Sequence, residues 1–81
     1  MVVRFFGNGP SGGFEVEYGW GNLPIPTVGQ IVVADGDDPD FPEGEYTVTD
    51  LEWRIGLRGP RLVNIDLEPV KPPAAGSSVD G

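Results

Sequence analysis

The sequence predicts an all-β fold, a small five-stranded barrel, on three observations. Thirteen glycines and nine prolines cut its 81 residues into short pieces. Those pieces alternate apolar and polar residues, the period of a strand with one buried face. No stretch repeats apolar residues at the helical spacing for more than a turn, so no helix is expected. One domain over residues 1–70 and a disordered tail over residues 71–81 complete the layout.

The first two strands form an N-terminal hairpin. Residues 2–6 make one strand, with Val3 and Phe5 toward the core and Val2 and Phe6 on the outer face. Residues 14–18 make the other, with Phe14, Val16 and Tyr18 on one face and Glu15 and Glu17 on the opposite one. Between them, residues 7–13 read as a glycine-rich, mobile loop. Residues 19–27 follow as an irregular crossing, because Pro24 and Pro26 remove the backbone donors a central strand needs. Residues 31–34 are apolar on both faces, the pattern of a strand covered on both sides.

A long acidic loop over residues 35–44 leads to the longest strand, residues 45–55. Tyr46 and Val48 share one parity; Leu51, Trp53 and Ile55 share the other. The flip predicts a bulge near Thr49 and Asp50, of the kind that lets one strand bend between two sheets. Both sets, Trp53 included, are expected in the core. After a turn over residues 56–60, residues 61–68 alternate regularly, with Val63, Ile65 and Leu67 inward. From Pro69 onward the composition is Pro, Ala, Gly and Ser, too poor in apolar residues to order itself.

One stretch narrows the barrel type. Val28-Gly29-Gln30-Ile31-Val32-Val33-Ala34 resembles the "vG-[D/Q]-x-V-x-A" opening strand of Tudor, KOW and related SH3-like barrels. Residues 45–51 follow at a suitable distance, and residues 63–70 are similar to the last strand of many such barrels. The resemblance covers residues 28–70 and implies an SH3-like barrel; an OB-like barrel or a small β-sandwich would satisfy the same strand count. KOW modules carry basic surfaces, which this chain reverses. Tudor modules imply an aromatic cage over a methylated lysine or arginine, for which Trp20, Phe41, Tyr46 and Trp53 are the available aromatics.

Charge and composition exclude more than they identify. There is no cysteine or histidine, so disulfides, structural zinc, and Ser-His or Cys-His catalysis are ruled out. No cofactor is expected. An enzyme would have to rely on paired carboxylates alone, in a domain with little room for a cleft, and none is expected. Thirteen acidic side chains against five basic ones give a net charge of -8. Direct nucleic-acid binding and anionic membranes are therefore disfavoured, and a basic protein partner suits the surface. No segment is apolar enough to span a bilayer and the start does not read as a signal peptide, so the expected location is the cytoplasm. One lysine against four arginines, with abundant Gly, Pro, Val and Asp, is the usage of a GC-rich genome, and points to an actinobacterium or one of its phages.

The candidate binding residues are Asp35, Asp37, Asp38 and Asp40, with Phe41 as an apolar anchor among them, and Trp20. Four carboxylates within six residues could hold a hard cation, but the spacing does not follow an EF-hand and no bidentate glutamate completes it. A docking loop is the preferred reading, with no metal. Trp20, between two glycines, is either a lid over the barrel end or an exposed anchor. Arg54, Arg58 and Arg61 are the one basic spot and give the molecule a dipole, so that one copy's arginines could meet another's aspartates. The expected function is a non-enzymatic acidic protein-binding module, phage- or mobile-element-encoded, acting on a basic host protein. Its alternatives are a small structural or assembly subunit of a virion or complex, with a possible homo-oligomer, and a Tudor-like aromatic-cage reader.

Overall fold

The computed structural model describes residues 1–9 and 12–70. Five strands and no helix make up these residues: β1 (Val2–Gly9), β2 (Gly12–Gly19), β3 (Ile31–Ala34), β4 (Gly44–Gly56) and β5 (Gly59–Pro69). They form one sheet in the order β2-β1-β5-β4-β3, curled into a half-barrel. Every pairing is antiparallel except β1 with β5, which is parallel. The tail expected over residues 71–81 lies outside the described residues.

The hairpin is longer than its sequence suggested. The β1–β2 ladder runs on through Gly7↔Phe14, Asn8↔Gly13 and Gly9↔Gly12, where a mobile loop was expected. Gly7 serves a packing purpose there. A Cβ on it would come within 2.7 Å of the Phe14 ring and 3.0 Å of the Leu67 carbonyl oxygen, so the missing side chain lets the ring lie across the strand.

The core follows strand parity. Val3, Phe5, Val16, Tyr46, Val48, Val63, Ile65 and Leu67 are buried on the concave face, joined by Ala34 and Phe41. No polar or charged residue is buried among the described residues. On the outer face Arg4 sits opposite Glu17, and its guanidinium donates to that carboxylate at 2.9 Å. The pair is exposed, so it contributes little to stability.

The expected bulge is present. Pairing shifts between Val48 and Asp50, so Val48 opposes Leu67 and Leu51 opposes Ile65, both pairs facing inward. A second irregularity lies between Arg54 and Ile55. Three expectations need correcting. Trp53 pairs with Val63 and faces the concave side, yet it is 41% exposed, because β4 is no longer flanked by β3 there, the β3–β4 pairing ending at Thr47. β3 is covered on one face only: as an edge strand it exposes Ile31 and Val33, while Ala34 is buried. The first residues of the SH3-like stretch are a turn, not a strand. The Gln30 N–H donates to the Thr27 carbonyl at 3.0 Å, the Thr27 N–H to the Gln30 side chain at 2.7 Å, and Gly29 has φ 95°.

Candidate functional site

The acidic loop between β3 and β4 contains a local turn that its sequence encodes. Asp38-Pro39-Asp40-Phe41 has Asp at the first position and Pro at the second, the preference of a β-turn. The Phe41 N–H donates to the Asp38 carbonyl at 3.0 Å and the Asp40 N–H to Asp38 Oδ1 at 2.9 Å. The turn aims Phe41 at the core. Its ring packs among Phe14, Phe5, Tyr46 and Tyr18, with centroids 5.2, 5.6, 5.6 and 6.5 Å away.

Two tyrosines hold this plug in place. The Tyr18 hydroxyl, from β2, donates to Asp38 Oδ2 at 2.8 Å. The Tyr46 hydroxyl, from β4, donates to the Pro42 carbonyl at 2.7 Å. The loop thus ties β2 to β3, the two outer strands of the sheet, and closes the concave face. Asp38 is held below its ordinary value, first by the Asp40 N–H and then by the Tyr18 hydroxyl. Tyr18 is pushed up to about 12, first by burial, then by the hydrogen bond and charge of Asp38, with Asp40 adding to it. Burial also raises Tyr46.

These shifts give a pH dependence. A phenol whose folded value lies above its ordinary 10.0 stabilises the fold fully below pH 10.0 and loses that contribution as pH rises toward about 12. A carboxyl lowered from 3.8 contributes above that pH and loses the contribution as pH falls below it. Thermal midpoints measured from pH 9 to 12 should fall for the wild type, and fall less steeply for Tyr18→Phe, with Tyr46 supplying the remainder. Parallel alkaline limbs would mean that the Tyr18–Asp38 link does not couple to folding.

Beside the plug, between β2 and β3, lies a groove of about 370 Å³. Phe5 and Phe41 are its buried floor, Tyr18, Trp20 and Val32 its half-buried sides, and Asp35, Asp37 and Asp38 also line it. The Trp20 ring meets Phe5 edge-on with centroids 5.9 Å apart, and its indole N–H donates to the Pro24 carbonyl at 3.1 Å. Aromatic faces with carboxylates at their edge favour cations, through the ring quadrupole and simple charge attraction.

The sequence candidates therefore separate. Asp35 and Asp37 are exposed at the groove, and Trp20 is a half-buried wall of it. Asp38 is part of the groove and also the acceptor that fixes the loop. Asp40 is exposed and lies outside the groove. Phe41 is not an exposed anchor: it is 7% exposed and belongs to the core. Of the four aromatics considered for a cage, Trp20 and Phe41 line the groove, whereas Tyr46 and Trp53 do not. Phe5, Tyr18 and Val32 were missed as groove residues. The inward parity of Phe5 and Tyr18 was visible, but nothing in sequence showed that the acidic loop would fold back beside them. Among the described residues no three acidic side chains are grouped to hold a metal ion, and no helix is long and apolar enough to cross a membrane. Comparison with protein-family models, with curated proteins and with solved structures gives no match.

Proposed function

We propose that the chain is a non-enzymatic protein-binding module, and that its groove takes a cationic side chain, with the apolar residue next to it, from a basic protein surface. The observation that supports this reading is the convergence of Tyr18, Trp20, Phe5 and Phe41 with Asp35, Asp37 and Asp38 on one groove, in a chain of net charge -8. The apolar floor gives an apolar side chain a dry site, the rings suit the cation, and the carboxylates steer its approach. A volume near the low end of ligand sites fits one or two side chains. The same features carry the aromatic-cage reading, with a methylated ammonium as one form of the cation.

Calorimetric titration with a short peptide of alternating arginine and leucine tests this. Binding should weaken steeply with added salt. Asp37→Asn should weaken it by about 3- to 10-fold, the effect expected of losing one charge at a partly desolvated contact. Asp40→Asn removes the same charge from outside the groove and should have a much smaller effect. Equal losses from both variants would reduce the binding to net charge and remove the groove from the account.

A further inference from the structure

The β4–β5 hairpin has an unusual tip. Past the last β1–β5 pair, Val2↔Leu62, it continues alone to Gly56↔Gly59, closed by a two-residue turn at Leu57 and Arg58. Gly59 supplies the positive φ of 105° that follows the turn. Turn positions favour Gly, Asn, Asp and other small polar residues, yet Leu57 occupies one and is fully exposed. Ile55 is 69% exposed and Trp53 41%. Isolated exposed apolar residues need no explanation, but three at alternate positions ending in a turn form a projecting ridge.

The same tip holds three of the five basic residues, Arg54, Arg58 and Arg61. The ion pairs among the described residues involve only Arg4 and Arg54, so Arg58 and Arg61 carry uncompensated charge. The Arg61 stem lies across Gly56, where a Cβ would come within 2.7 Å of its Cδ. The tip thus presents an apolar ridge flanked by guanidinium groups. The groove presents an apolar floor flanked by carboxylates, and it shares no residue with the tip.

We propose that the partner of the groove is a second copy of this chain, whose Leu57–Arg58 turn enters it. This rests on the groove reading above and names its occupant. Charge selects the mode of contact. Tip against tip would oppose arginines, and groove against groove would oppose aspartates. Tip into groove pairs opposite charges and buries the exposed leucine. The two surfaces differ, so the contact is heterologous, and it propagates head to tail into a ring or a filament. This is the behaviour of a small assembly subunit.

Sedimentation velocity over a concentration series, up to about 1 mM so that contacts of millimolar strength are populated, tests this with two variants at exposed positions. Leu57→Ser with Arg58→Glu disables the tip, and Asp37→Lys disables the groove. The wild type should form species larger than a monomer that grow with concentration and dissociate in salt. Each variant alone should be monomeric, its association weakened by about tenfold or more, as loss of an interface centre requires. Circular dichroism should show both still folded. Mixed one to one, the variants should form a heterodimer and nothing larger, because only one intact tip and one intact groove remain. A wild type that stays monomeric throughout would overturn the proposal, and the arginine–leucine peptide titration would then show separately whether the groove reading survives. Assembly of the groove variant alone would mean a tip-to-tip contact, and assembly of both variants alone would mean pairing through the open strand edges; either result overturns it.

Discussion

Phe41→Ala should destabilise the domain by about 3–5 kcal/mol, the range for removing a buried aromatic ring. Folded domains hold only about 5–15 kcal/mol in total, and short ones sit low in that range, so this variant should be close to unfolded at room temperature. The effect is expected to exceed that of a surface loop residue because Phe41 is the element that completes the core. It contacts rings contributed by β1, β2 and β4 at once. The half-barrel leaves its concave face open between β2 and β3, and the loop ring fills that opening. Phe41→Leu should lose less, since much of the volume stays. Asp40→Asn, one residue away, should leave stability within about 0.5 kcal/mol, as substitutions away from packed features do. Urea unfolding of the three variants separates these cases. A Phe41→Ala variant as stable as the wild type would mean that the loop covers nothing.

What the sequence revealed and what it hid divide along physical lines. Strand parity was legible because each strand's pattern is local: Val63, Ile65 and Leu67 are all inward, as their alternation required. The bulge near Thr49 was legible because two runs on one strand were out of phase. The parallel pairing of β1 with β5 was not, since it joins residues about sixty apart, and alternation carries no information on which strands become neighbours. Ile31 and Val33 look like a doubly covered strand, yet they sit at an edge, where an apolar residue and an exposed position are compatible. The acidic loop misled by composition. Four aspartates read as one surface, but the Asp-Pro-Asp-Phe turn assigns them different tasks: Asp38 fixes the backbone, Phe41 enters the core, and Asp35 and Asp37 are left at the groove. The turn signal was present in the sequence. The nearby charges obscured it, and with it the groove.

Two aromatic residues of one strand should respond very differently to the same substitution. Tyr46 is 1% exposed, meets Phe14 and Phe41 with its ring, and donates its hydroxyl to the Pro42 carbonyl. Tyr46→Ala should cost about 3–5 kcal/mol through the cavity it leaves. Tyr46→Phe keeps the ring and should cost about 1 kcal/mol, for the carbonyl that loses its donor. Trp53, seven positions along the same strand, is larger and faces the same concave side, but it lies on the part of β4 that β3 no longer flanks. Trp53→Ala should cost only about 1 kcal/mol, the centre of the range for ordinary substitutions. The comparison measures where the core ends along β4. Equal losses at Tyr46 and Trp53 would extend the core to the hairpin tip and leave the exposed ridge without an edge. A large loss at Tyr46 with a small one at Trp53 leaves Trp53, Ile55 and Leu57 as apolar surface that folding does not use.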